Sequence, residues 1–307
     1  MRRRGPGGTE SYPYFVDLYE QMTIDDILES MRAKGLQYKA KTYTSGDMLE
    51  VAIYPINPVW KSEELKNRAK AMHPTRKEQR NLNHINTRKH ISRLIHCNFT
   101  RKDIWMTFTY ADAHMPVDLK RATSNLKNYF KRLRTHIKKH SLPTLKYIYV
   151  TEHVTNQATG KLHVHHHVIT NFRDRDKAES MWTQGGRTQS RRLQPDTDGS
   201  LEGLARYIAK PETKEGNRKG AKSYAYSRNL KRPTPNEAEG RLPKTSYKLS
   251  KKRVADMAAS EPKATEVLTE QYSDYKLLAP PTIKHSDYTA GAFIYARMIK
   301  KKGATSP

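Results

Sequence analysis

Four of the chain's 13 histidines fall within five positions, in the run Gly160-Lys-Leu-His163-Val-His165-His166-His167-Val-Ile-Thr170. The run has the character of a β-strand, and side chains along a strand alternate between its two faces. His163, His165 and His167 therefore share one face at about 6–7 Å spacing, and Val164, His166 and Val168 share the other. Imidazoles in such a row make a platform for a metal ion. A polar face with chance histidines is the plainer alternative. A carboxylate usually completes such a set, and Glu152, at the end of the preceding strand, should come across from the start of the histidine strand. A His–His–Glu set with open positions suits Mn²⁺ or Mg²⁺ acting as a Lewis acid on a phosphate oxygen. Glu152 as an ordinary solvent-facing residue competes with this, and His153 beside it is a rival donor that faces the opposite way in a regular strand.

The second stretch with chemical content is Gly199-Ser-Leu-Glu-Gly-Leu-Ala-Arg-Tyr207-Ile-Ala-Lys210-Pro211. Leu201, Leu204, Ala205 and Ile208 fall at the spacing of a helix's buried face. Tyr207 and Lys210 sit one turn apart beside that stripe. Gly203 puts no side chain on the turn preceding the phenol. In isolation such a tyrosine is ordinarily the edge of a core. Forty residues after a histidine platform it is also a candidate nucleophile, with Lys210 placed to stabilise phosphate charge or to lower the phenol's pKa.

The surrounding elements must hold these groups together. Trp105–Tyr110 alternates apolar residues with threonine and predicts a strand. Leu119, Ala122, Leu126, Tyr129, Leu133 and Ile137 step by three and four and predict a helix with one apolar stripe. Leu145–Glu152 and Leu162–Thr170 predict two strands, joined into a hairpin by the turn residues Asn156–Lys161. A helix start near Asp176, a short strand around Arg191–Gln194 and the Tyr207 helix follow. Residues 103–195 thus run β-α-β-β-α-β. That is the order of a ferredoxin-like (RRM-like) α+β fold, an antiparallel sheet with helices on one face and the other face open for a site. Helical N- and C-terminal extensions are expected around it.

Bulk properties narrow the partner. Lys and Arg number 57 against 31 Asp and Glu, a net charge of +26. Such an excess points to a polyanion, most commonly nucleic acid. The single cysteine, Cys97, excludes an intrachain disulfide framework and a cysteine-built zinc site. No apolar run reaches the roughly 18 residues of a membrane span, and Met1-Arg-Arg-Arg-Gly-Pro-Gly-Gly lacks an apolar segment behind its charges. The expected location is the cytoplasm. Four segments are expected: an N-terminal extension over 1–60, a basic helical segment over 61–100, a catalytic domain over 101–232, and a basic accessory region over 233–307.

Taken together, these motifs resemble rolling-circle replication initiators (Rep proteins) of the HUH endonuclease superfamily, from bacterial plasmids, phages and integrative elements. Met106-Thr-Phe-Thr-Tyr110 resembles the family's first motif, the histidine strand its second, and Tyr207-Ile-Ala-Lys210 its third, over about 103–232. Two registers fit the second motif, His163-Val-His165 and His165-His166-His167. The resemblance favours His165 and His167 as metal ligands, with His163 and Glu152 competing for the remaining position. Pro211 stands where two-tyrosine relatives carry a second tyrosine, so a single-tyrosine enzyme is implied. The implied reaction is metal-dependent nicking of single-stranded origin DNA through a 5′-phosphotyrosine, in a bacterial host. The implied partners are single-stranded DNA, an origin hairpin and, since no P-loop motif is present, a host helicase. A conjugative relaxase would need Tyr12, Tyr14 or Tyr19 as its nucleophile. A single-strand transposase shares the motif order but is usually much smaller, and a non-catalytic DNA-binding or copy-control protein would use the charge alone.

Overall fold

The computed structural model describes residues 34–56, 59–64, 66–67, 76–155, 162–209, 224–285 and 289–301. In chain order these form β1 (Gln37–Ser45), β2 (Met48–Ile56), α1 (Arg76–Asn98), β3 (Ile104–Phe108), α2 (Leu119–Lys139), β4 (Tyr147–Thr155) and β5 (Leu162–Thr170). There follow α3 (Arg175–Ser180), β6 (Thr188–Arg192), α4 (Glu202–Ile208), β7 (Tyr224–Tyr226), β8 (Pro235–Glu239), α5 (Lys251–Ala259), α6 (Glu261–Gln271), β9 (Tyr275–Leu277), β10 (Thr282–His285) and β11 (Ala292–Lys300). The chain divides into two compact units, one spanning Thr87–Arg232 and the other formed by the residues on either side of it. The segment expected over 101–232 lies inside the first unit, which also takes in the end of the basic helix α1. No helix among the described residues is long and apolar enough to cross a membrane.

The Thr87–Arg232 unit is built on an antiparallel sheet in the order β6-β3-β5-β4-β7. Its first four strands, with α2 and α3 between them, are the ferredoxin-like arrangement, and β7 adds a fifth strand beside β4. One face is packed as the sequence predicts. From α2, Ala122, Leu126, Tyr129, Phe130, Leu133 and Ile137 meet Met106, Phe108, Val164 and Val168 of the sheet. Each such buried large side chain contributes about 1.5–3 kcal/mol. Asp118 caps α2, its carboxylate accepting from Arg121 N–H at 2.6 Å, and His136, Lys138 and Lys139 complement the dipole in the last turn.

The second face is not bare. Ile91, Leu94 and Ile95 of α1, with Ala205 and Ile208 of α4, pack on Trp105, Ile148, Val150 and Ile169. The reason is visible in the strands: Ile148, Val150 and Ile169 are apolar on that face too, so part of it must be covered. Only the end carrying Glu152 and His165 stays polar.

His166 points away from the metal face and is fully buried. Its Nε2 lies 2.8 Å from Tyr110 Oη and its Nδ1 lies 2.9 Å from Thr151 Oγ1. Burial pushes its pKa down to about 3. The folded state therefore holds this imidazole neutral, while an unfolded chain protonates it near pH 6.5. Stability contributed this way is present above pH 6.5 and is lost as pH falls from there towards 3. His166→Gln, which can keep both hydrogen bonds and does not titrate, is expected to flatten the acid limb of the unfolding midpoint. An unchanged acid limb would mean that the wild-type loss comes from other groups.

The second unit contains more strand than the helical extensions expected from the sequence. Its sheet runs β10-β11-β2-β1-β8, with β9 also paired to β11. The Ser45-Gly46-Asp47 turn closes the β1–β2 hairpin, Gly46 taking a φ of 57° that suits glycine. Helices α5 and α6, capped by Ser250 and Ser260, bury Val254, Met257, Val267 and Leu268 in a core with Tyr38, Val51, Ile53 and Met298.

Candidate nuclease site

Strand pairing brings the histidine strand and Glu152 onto one surface. In the β4–β5 ladder Glu152 pairs with His165 and Val150 with His167. Directly paired residues face the same way, so Glu152, His165 and His167 share a face. On the other side of β5, Thr107 of β3 pairs with His167. Its Oγ1 lies 3.1 Å from His167 Nδ1. Trp105 lies against the same imidazole, ring centroids 5.4 Å apart and nearly parallel.

Tyr207 reaches this cluster from α4. Its phenolic oxygen is 2.9 Å from His167 Nε2 and 3.4 Å from Glu152 Oε2. Its ring stands edge-on to both Trp105 and His167. Burial, reinforced by the charge of Glu152, pushes the phenol up to about 12. Burial also lowers the pKa of His167, with Glu152 pulling the other way, which favours a neutral imidazole. As it stands, the cluster holds a protonated phenol beside two acceptors. To become a nucleophile the phenol must lose its proton or meet positive charge.

The N-terminus of α4 is fixed by three side chains. His96 Nδ1 lies 2.8 Å from Ser92 O, a carbonyl that only accepts, so Nδ1 carries the proton. Its Nε2 then accepts from Leu201 N–H at 2.9 Å. The hydroxyl of Ser200 accepts from Glu202 N–H, and the Asp196 carboxylate accepts from Gly203 N–H at 2.7 Å. Gly203 is thus required for a different reason from shading the phenol: a Cβ there would collide with Asp196 Oδ1. Alanine in a helix normally gains about 1 kcal/mol over glycine. Gly203→Ala is instead expected to lose roughly 1–3 kcal/mol in chemical denaturation, because Asp196 must move and give up its cap. Unchanged or higher stability would show that Asp196 gives way freely.

Of the residues singled out in the sequence, Tyr207, His167 and Glu152 are therefore mutually in contact. His165 is exposed on the same face, opposite Glu152. His163, also exposed, stands two positions farther along, opposite Val154, away from Tyr207. His153 pairs with Val164 and faces the other way. Lys210 lies outside the described residues. Trp105, Thr107 and His96 were not singled out. The alternation of Trp105, Thr107 and Thr109 was readable, but not the adjacency of β3 to β5 that gives two of them a role.

Among the described residues no three His, Cys, Asp or Glu side chains form a group that could hold a metal ion. The donors that do converge are His167 Nε2 and Glu152 Oε2, 3.3 Å apart, with His165 next on the face. Imidazole nitrogen with carboxylate oxygen fits, in kind, a divalent ion such as Mn²⁺.

Comparison with known families is decisive for this unit. Residues 103–215 match the model of a family of replication-associated proteins, the ORF2 type. The match spans the first strand, the histidine strand and the Tyr207 helix. All three motifs thus fall inside the replication-associated segment, in agreement with the resemblance to rolling-circle initiators. Neither curated proteins nor solved structures give a match to the chain.

Proposed function

We propose that this replication-associated protein nicks single-stranded origin DNA with Tyr207 as nucleophile. The observation that carries this is the contact of the Tyr207 phenol with His167 and Glu152 on one sheet face. In the reaction Tyr207 Oη attacks phosphorus, an O–P bond forms, and the bond from phosphorus to the 3′ oxygen breaks. The phenolic proton passes to His167 or Glu152, and the departing 3′ oxygen takes up a proton. The product is a 5′-phosphotyrosine and a free 3′-OH, and attack by a 3′-OH reverses the step without ATP.

His165, His167 and Glu152 would hold a divalent ion, Mn²⁺ or Mg²⁺. Bound there, it would supply Lewis-acid polarisation of the scissile phosphate. Thr107 and Trp105 fix the plane of His167, and Lys210 would add positive charge near the phosphate. Along edge strand β6, Arg187, Gln189 and Arg191 are exposed and alternate on this same face, where Gln189 pairs with Thr107 and Arg191 with Trp105. They are suited to the DNA backbone on one side of the cut. An origin hairpin, a host helicase and the cytoplasm of a bacterial host complete the proposed setting.

The test is label transfer. The full chain is incubated with a random-sequence pool of 3′-labelled single-stranded oligonucleotides and Mn²⁺ or Mg²⁺, with a chelated control. Covalently labelled protein that depends on the metal supports nicking. Tight binding with no adduct under any metal would support a non-catalytic DNA-binding protein instead.

A further inference from the structure

The face of the Thr87–Arg232 sheet opposite Tyr207 has a groove of its own. Side chains of β4 alternate, so Ile148 and Val150 lie on the Tyr207 face while Tyr147 and Tyr149 face α2. In the neighbouring strand β7, Ala225 is the partner of Tyr149. Its methyl group is too short to cover that ring, and a groove of about 560 Å³ remains there, lined by residues of α2, β4 and β7. That volume lies in the range of small-ligand sites.

The floor of this groove is aromatic and rigid. Phe130, itself buried, stacks flat on Tyr147 with ring centroids 3.7 Å apart. Arg134 Nη2 donates to Tyr147 Oη at 3.0 Å, and its guanidinium lies 5.7 Å from the ring centroid. The rim is cationic: Lys127, Arg134 and Arg228 are all exposed, and no Asp or Glu lines the groove. Aromatic rings with flanking cations and no carboxylate complement a flat π-system carrying negative charge. In single-stranded DNA the bases are free to enter, whereas in a duplex their faces are occupied by neighbours. An acidic peptide would satisfy the cations and leave the aromatic floor unused.

We propose that this groove is a second site for single-stranded DNA, seating one or two unpaired bases against Tyr147 and Tyr149 and their phosphates on Lys127, Arg134 and Arg228. It lies on the opposite face from Tyr207, so the bases it holds are not those at the cut. It would anchor a separate unpaired stretch of the substrate. This rests on single-stranded DNA being the substrate of the chain.

The experiment is anisotropy of a fluorescein-labelled mixed-sequence single strand of roughly 30 nucleotides, titrated with the full chain over a salt series. Two variants separate charge from shape: Lys127→Gln/Arg134→Gln/Arg228→Gln, and Ala225→Phe, which fills the groove without changing charge. The triple variant is expected to bind about tenfold or more weakly, with a log–log salt slope lower by about 2. Ala225→Phe is expected to bind about tenfold more weakly, and both should form adducts normally on oligonucleotides too short to reach across the sheet. Unchanged affinity and slope in the triple variant overturn the proposal, whether or not Ala225→Phe folds. So does a triple-variant loss that is equal on duplex DNA. Tyr207→Phe should leave this binding intact, so absence of adducts would count against the nicking reaction alone.

Discussion

Tyr207→Phe is expected to form no covalent complex with single-stranded DNA, a loss of more than about 10³-fold, while binding the same strand with wild-type affinity. The substitution removes one oxygen. The ring stays edge-on to Trp105 and His167 and keeps its place beside the helix's buried face, so the fold has little reason to change. The lost oxygen is the atom that stands 2.9 Å from His167 Nε2 and 3.4 Å from Glu152 Oε2. No other tyrosine among the described residues is positioned to replace it: Tyr224 and Tyr226 lie on β7 and stack on each other. A gel-shift titration run beside a denaturing gel measures binding and adduct on one sample. Persistent adduct in the variant would place the nucleophile elsewhere.

The second large effect is expected at His167. His167→Ala removes a neighbour of the phenol, a proposed metal donor and the partner of Glu152, and should slow adduct formation by about 10²–10⁴-fold. Being largely buried, the site will also lose some stability through the missing contacts with Trp105 and Thr107. Thr107→Val separates these contributions. It keeps the packing and removes only the group facing Nδ1, and changes at such orienting groups typically cost about 10–100-fold. Salt-sensitive DNA binding should survive both changes. If His167→Ala lowers adduct formation only in proportion to its loss of folded protein, His167 is structural.

Local patterns carried much of this arrangement in the sequence. The span of the histidine strand and the stripe of α2 were both legible, because alternation and 3.6-residue periodicity are imposed by the chain itself. Register was not. Glu152 was placed at the end of its strand, whereas β4 continues to Thr155, and its pairing with His165 depends on a ladder whose connecting residues 156–161 lie outside those described. The support for His167 was hidden for a related reason: Thr107 and Trp105 meet it only because β3 lies beside β5, a contact between residues 60 apart. Gly203 was noticed for its missing side chain, but the reason, the approach of Asp196, is tertiary. The same limit explains the flanking unit, where β1 pairs with β8 from the far side of the nuclease segment and no local signal announces the partner.

The most direct measurement is to digest the covalent protein–DNA complex with protease and nuclease and locate the nucleotide-bearing residue by mass spectrometry. The expected result is a single modified peptide carrying a 5′-phosphonucleotide on Tyr207. Modification of Tyr12, Tyr14, Tyr19, Tyr224 or Tyr226 with Tyr207 unmodified would contradict the assignment of the nucleophile and, with it, the proposed chemistry of the His167–Glu152 face.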